Sequence, residues 1–123
     1  MRSVILMLVL TICVLGFGQQ SPNTERSLDV TLTEWSIDMP RSLPAGTYVF
    51  KIKNQGDHAH TVKIKNGALE KKLPKELKAG ESGELRVNLK PGVYEVTCPI
   101  GFGPIGHKAK GMVLELTVTA PIS

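Results

Sequence analysis

Short runs of alternating apolar and polar residues constrain the fold of this chain more than any other feature of its sequence. In the first run, Leu28, Val30 and Leu32 fall at every second position. The same period recurs in five further runs, at 48–53, 62–65, 85–89, 94–98 and 112–118. A period of two is typical of a half-buried β-strand. The six runs therefore predict an all-β domain.

Turn-forming residues separate these runs. Proline, glycine and asparagine occur at 43–46, at 54–57, near Gly80 and at 90–92, where they favour turns. Strands do not alternate with long helical patterns, so the sequence predicts antiparallel strands in a sandwich or a barrel. Only the segment at 67–80 could hold a helical turn, and Pro74 would limit its length.

The N-terminal residues are typical of an export signal rather than of the domain. Arg2 precedes a hydrophobic run at 4–15, in which Thr11 is the one polar residue, and Gly16 and Gly18 suit cleavage near Gly18. The run is shorter than the about 20 residues that a membrane span needs, although an uncleaved anchor is the alternative. We therefore expect a signal peptide at 1–18, a polar linker at 19–27 and the folded domain at 28–123. The mature protein would be periplasmic or secreted, with no membrane span.

Export leaves Cys98 as the only cysteine of the mature chain, because Cys13 lies in the predicted signal. An unpaired thiol in an oxidising compartment implies intermolecular pairing, deep burial or a metal that binds the thiolate. The formal charge of +4 is mild, and aromatic residues make up only 5% of the chain. Without a recognition motif, these values give no support to nucleic-acid binding.

A thiol, an imidazole and a thioether fall at one end of the predicted sandwich. Cys98 ends one strand, Met112 begins the last strand, and His107 lies on the loop between them. Such soft and borderline donors suit copper better than calcium, magnesium or manganese. The second imidazole of a blue-copper site could come from His58 or His60, which share the same strand parity. We favour His60 because it adjoins the packed run at 62–65.

These segments resemble those of the cupredoxins, the family of small blue copper proteins that includes plastocyanin and azurin. One motif is N-x5-H-x-V, and the other combines Y-x3-C with G-H-x4-M. The matching residues are Asn54, His60, Val62, Tyr94, Cys98, Gly106, His107 and Met112. The resemblance implies a Greek-key β-sandwich with one type 1 copper ion. Its implied metal ligands are His60, Cys98, His107 and Met112.

Two features depart from the common cupredoxin pattern. The eight residues between Cys98 and His107 make a longer loop than in plastocyanin or azurin, and this spacing resembles the type 1 site of copper nitrite reductases. Thr61 follows the first ligand histidine, where the family usually has an asparagine that ties the ligand loops together. We expect Asn54 and Thr61 to position the ligand residues without binding the metal themselves.

The resemblance implies an exported electron carrier that shuttles single electrons between redox partner proteins. Copper binding or delivery without electron transfer is the alternative. Three histidines in the whole chain cannot build the additional copper sites of nitrite reductases or multicopper oxidases, so we expect no enzyme activity. We expect a monomer that docks transiently through the apolar loop residues Ile100, Phe102 and Ile105.

Overall fold

Short β-strands account for nearly all regular structure in residues 24–122, the part of the chain that the computed structural model describes. The strands are β1 (Arg26–Thr33), β2 (Ser36–Asp38), β3 (Ser42–Pro44), β4 (Gly46–Asn54), β5 (Lys63–Asn66), β6 (Leu69–Lys72), β7 (Ser82–Leu89), β8 (Gly92–Thr97) and β9 (Val113–Thr119). A 3₁₀ helix at Gly103–Ile105 lies between β8 and β9. The predicted signal peptide lies outside the described residues, and β1 begins two residues before the predicted domain start at Leu28. No helix in the described range is long and apolar enough to cross a membrane.

The strands form two sheets around one hydrophobic core. One sheet has the order β2-β1-β4-β7 and the other the order β3-β9-β8-β5-β6. Phe50 and Val87 from the first sheet and Ile64 and Leu116 from the second belong to the same buried cluster. These are the inward positions of the alternating runs, so the predicted all-β sandwich is confirmed.

Two strand pairs are parallel, in contrast to the uniformly antiparallel arrangement expected from the sequence. β1 runs parallel to β4, and β3 runs parallel to β9. The five other pairs of the described strands are antiparallel, as predicted. The parallel β1–β4 pair arises because the chain visits the other sheet through β3 before it returns, and parallel neighbours require such a crossover.

The segment at 67–80 is extended, and the helical turn that its sequence allowed is not formed. Gly67, with a φ of 48°, turns the chain from β5 into β6. Beyond β6, Leu77 forms an isolated antiparallel bridge with His60. Leu73 and Leu77 are both buried in the core, and their backbone N–H groups donate to the carbonyls of Val62 and His60. The extended path thus buries both apolar side chains and pairs their backbone N–H groups.

Strand direction brings three connections to the same end of the sandwich. β8 pairs antiparallel with both β5 and β9, and Thr97 near its end lies opposite Lys63 and Val113 at the starts of those strands. Residues just before β5, just after β8 and just before β9 are therefore neighbours.

Candidate metal centre

His60, Cys98 and His107 form a cluster at this end of the sandwich. Their potential ligand atoms all lie within 4.8 Å of one another. His107 Nδ1 is 3.3 Å from His60 Nδ1 and 3.5 Å from Cys98 Sγ. His60 and Cys98 are completely buried, whereas His107 is partly exposed. The structure thus brings together a thiol and two imidazoles from connections that lie far apart in the sequence.

Backbone hydrogen bonds fix the chain around the cluster. His60 exchanges two bonds with Leu77, with N···O distances of 3.0 and 2.8 Å. The Met112 carbonyl accepts from Cys98 N–H at 3.1 Å, and Met112 N–H donates to the His107 carbonyl at 3.1 Å. Met112 is also completely buried, so all four residues of the predicted ligand set belong to one connected region.

Asn54 shapes the turn that leads to His60. Its buried amide nitrogen donates to the carbonyls of His58 at 2.8 Å and Leu77 at 2.9 Å. Its side-chain oxygen accepts from Gly56 N–H at 2.9 Å. The amide therefore links the end of β4, the turn after it and the segment that carries Leu77.

Thr61 acts through its backbone. Its N–H donates to Cys98 Sγ at 3.5 Å, which connects the two segments that carry His60 and Cys98. Its buried hydroxyl has no hydrogen-bond partner within residues 24–122. The two ligand-bearing segments are thus joined at Thr61 by a main-chain amide and not by its side chain.

Burial favours the neutral forms of Cys98 and His107. Desolvation raises the pKa of the Cys98 thiol, with a partial offset from the Thr61 amide. Desolvation also lowers the pKa of His107, and the nearby positive charge of Lys110 acts in the same direction. In the metal-free protein at neutral pH, Cys98 is therefore a neutral thiol and His107 a neutral imidazole, the form of histidine that binds metals.

Glu34 and Trp35 lie against the cluster, although the sequence analysis did not single them out. They form the two-residue turn between β1 and β2. Glu34 Oε1 is 3.1 Å from His60 Nε2, and the Trp35 ring centroid is 4.9 Å from that of His107. Trp35 is the only tryptophan of the chain and follows Glu34 directly, where the first alternating run ends. This pair of residues was the sequence feature that could have pointed to the turn.

Backbone amides keep the Glu34 carboxylate ionised. The carboxylate accepts from the N–H groups of Asp57 at 2.8 Å and His58 at 3.0 Å. These two bonds, the Asp57 bond first, lower the pKa of Glu34 from 4.5 to about 2, with smaller contributions from the His60 and His58 side chains. Glu34 is therefore a fixed negative charge beside His60.

The long loop from Cys98 to His107 folds back on itself. Gly101 has a φ of 76°, and a Cβ at this position would lie 3.1 Å from Gly106 Cα. The His107 N–H donates to the Ile100 carbonyl at 2.9 Å. The close contact between Gly101 and Gly106 therefore brings the end of the loop back towards Cys98. This explains how His107 lies in the cluster although the loop is long.

The three predicted docking residues differ in exposure. Phe102 and Ile105 are 84% and 71% exposed. Ile100 is only partly exposed and packs against the hydrophobic core. The apolar surface of the loop is therefore formed by Phe102 and Ile105, and Ile100 anchors the loop from beneath.

The donor set fits copper. A thiolate and two imidazoles are soft and borderline donors that select copper or zinc over calcium, magnesium or manganese. Calcium and magnesium prefer several oxygen ligands, and the cluster of His60, Cys98 and His107 contains none. In a sandwich of this type, the cluster is consistent with one type 1 copper ion.

Comparisons with known proteins identify the domain family and the fold. A family model described as a cupredoxin-like domain matches residues 4–114. Auracyanin B superposes with a TM-score of 0.63 and 22% identity, covering 82% of this chain and 92% of auracyanin B. Auracyanin A, described as a "blue" copper protein from Chloroflexus aurantiacus, superposes with a TM-score of 0.62 and 14% identity, covering 78% of this chain and 100% of its own. At these identities the likeness shows the fold.

Larger copper enzymes contain the same fold as one part of a longer chain. The blue copper oxidase from Nitrosomonas europaea superposes with a TM-score of 0.62 and 14% identity over 81% of this chain, but over only 40% of its own length. By sequence, no curated protein matches the chain significantly.

Proposed function

Because the chain belongs to the cupredoxin-like family, we propose that it carries single electrons between redox partner proteins by means of one type 1 copper ion. The observation that best supports this function is the convergence of His60, Cys98 and His107 within 4.8 Å at one end of the sandwich. Copper bound there would supply a one-electron couple between Cu(I) and Cu(II).

Four side chains would hold the copper. His60 and His107 present their Nδ1 atoms to each other, and Cys98 contributes a thiolate, because metal binding deprotonates a coordinating thiol. Met112, which is completely buried next to the cluster in the chain, would supply a thioether as the fourth ligand. His58 is excluded from this proposed set, since its side chain is 59% exposed and its Nδ1 lies 3.3 Å from Glu34 rather than beside Cys98.

Rigidity of the site favours electron transfer. His60, Cys98 and Met112 are buried and are each fixed by backbone hydrogen bonds. Side chains held in this way would move little between the two oxidation states of a bound copper ion. We propose that electrons enter and leave through His107, the partly exposed member of the cluster.

Partners would dock on the loop surface beside His107. Phe102 and Ile105 expose large apolar side chains there, and aromatic residues are enriched at protein interfaces. The N-terminal pattern at 1–18 favours export, so these partners would be periplasmic or extracellular redox proteins. We propose no catalytic activity, because His58, the remaining histidine, faces Glu34 and forms no second copper site with the cluster.

Electron self-exchange tests the proposed function. Oxidised and reduced copper-loaded protein are mixed, and the exchange rate is obtained from NMR line broadening. We expect fast, reversible exchange in the wild type and in His58→Ala, and loss of the copper site in His60→Ala. A protein that binds copper tightly but releases it on reduction would instead be a delivery protein, and electron transfer would be rejected.

A further inference from the structure

We propose that Glu34 is a positioning residue of the copper site: its carboxylate fixes His60 in the tautomer that leaves Nδ1 available to the metal. This inference rests on the proposed ligand role of His60. The β1–β2 turn, which carries Glu34, would then help to orient a ligand of the site.

The contact between Glu34 and His60 determines which ring nitrogen carries the proton. An ionised carboxylate only accepts hydrogen bonds, and Glu34 Oε1 lies 3.1 Å from His60 Nε2. The proton must therefore reside on Nε2. The other nitrogen, Nδ1, faces His107 Nδ1 at 3.3 Å and presents its lone pair to the cluster. Carboxylates that hold ligand histidines in this way fix ring orientation and raise ligand basicity.

The turn at 56–58 is shaped around the same carboxylate. Asp57 and His58 donate their backbone N–H groups to Glu34, and the His58 side chain approaches it through Nδ1 at 3.3 Å. A Cβ at Gly56 would lie 2.3 Å from Glu34 Oε1 and 2.8 Å from its Cδ. Only a glycine at this position leaves room for the carboxylate where it now lies.

Turn chemistry does not account for Glu34. Two-residue hairpin turns favour asparagine, aspartate and glycine, yet Glu34 and Trp35 occupy the turn between β1 and β2. Departures from local sequence preference of this kind concentrate at functional sites. The parallel pairing of β1 and β4, with Leu32 opposite Asn54, brings this turn beside the segment that leads to His60.

The first experiment uses the copper-free protein. Nitrogen-15 NMR of the His60 ring reports its tautomer, which we expect to be the Nε2–H form in the wild type. Glu34→Ala should give a mixture of tautomers, whereas Glu34→Gln should retain the Nε2–H form because its amide oxygen can still accept the bond. A wild-type His60 protonated on Nδ1, or an unchanged tautomer in Glu34→Ala, would overturn the inference.

The second experiment measures Cu(II) affinity by competition with a chelator. Glu34→Ala should weaken binding by about 10- to 100-fold, and Glu34→Gln by less. Glu76→Ala is the matched control, since Glu76 is an exposed carboxylate whose charge raises the pKa of both Cys98 and His107; it should change the affinity by less than Glu34→Gln does. The reduction potential should rise in Glu34→Ala more than in the control. Without the carboxylate, His60 becomes a less basic ligand and stabilises Cu(II) less. Equal changes in Cu(II) affinity and reduction potential for Glu34→Ala and Glu76→Ala would show that Glu34 acts only through its negative charge, and would overturn its positioning role.

A double-mutant cycle with Gly56 separates positioning from loop stability. Gly56→Ala should weaken Cu(II) binding in the wild-type background, because the new methyl group displaces the carboxylate. The same substitution should have little further effect in Glu34→Ala, where no carboxylate remains to displace. Additive effects would contradict the inference. A wild-type protein without a blue copper site would reject the proposed function alone, since the tautomer is measured without copper.

Discussion

At Thr61, main chain and side chain contribute in opposite ways. The backbone N–H reaches Cys98 Sγ at 3.5 Å, while the buried hydroxyl has no hydrogen-bond partner in the described range. An unsatisfied buried hydroxyl is destabilising, and an apolar group of the same shape avoids that cost. The residue thus supports the site through an atom that every amino acid except proline possesses.

Thr61→Val should therefore stabilise the copper-free protein. We expect the free energy of unfolding in urea to rise by about 1 kcal/mol, because valine fills the same space without a buried hydroxyl. The absorption spectrum of the copper-loaded protein should not change, since the backbone bond to Cys98 is kept. A loss of stability of similar size would show that the hydroxyl is hydrogen-bonded in solution.

The loop between Cys98 and His107 depends on one close glycine contact. Gly101 and Gly103 both have positive φ values, of 76° and 66°. A Cβ on Gly101 would meet Gly106 Cα at 3.1 Å, whereas one on Gly103 would meet nothing within 4 Å. The two positions therefore share a backbone requirement and differ in the space around them.

Gly101→Ala should disturb the site more than Gly103→Ala. Both substitutions carry the left-handed backbone cost of about 1–2 kcal/mol, and only Gly101→Ala also pushes the loop away from Gly106. We expect weaker Cu(II) binding and a lower melting temperature for Gly101→Ala, with Gly103→Ala between it and the wild type. Identical values for the two variants would show that the contact does not position His107.

Among the elements, the long alternating runs were predictable and the short ones were not. The inward positions of β1, β4, β7, β8 and β9 follow the period of two in the sequence. β2 and β3 have only three residues each, too few for a period to be read. The parallel β1–β4 pair follows from a crossover through β3, which no local pattern encodes.

The site was predictable to the same extent. Cys98, His107 and His60 stand out by donor type, and strand direction suffices to bring them together. Glu34 does not stand out, because its contact with His60 spans the two sheets and depends on the unpredicted parallel pair. A residue that contacts a ligand histidine, and not the metal, is hard to identify from a single sequence because no motif or spacing distinguishes it.

In the whole molecule, the cluster and the apolar loop surface occupy one end of the sandwich. Phe102 and Ile105 are exposed on the loop that carries His107, while Val93 is 53% exposed at the start of β8. The five residue-to-residue steps from Val93 to Cys98 span about 16 Å of extended chain. The molecule therefore offers an apolar position near the cluster and another far from it.

Phe102→Glu should slow electron self-exchange by about fivefold or more, since loss of a central apolar contact typically weakens an interface by more than about 1 kcal/mol. Val93→Glu introduces the same charge at the distant position and should leave the rate nearly unchanged. Both variants should keep the wild-type copper spectrum. Equal slowing by the two substitutions would point to net charge rather than to a docking surface.

The absorption spectrum of the Cu(II)-loaded protein tests the central claim most directly. A type 1 site with Cys98 as ligand should give an intense blue thiolate-to-copper charge-transfer band, which Cys98→Ser abolishes while the sandwich remains folded. A wild-type protein that binds Cu(II) without this band, or a band that survives in Cys98→Ser, would contradict the account.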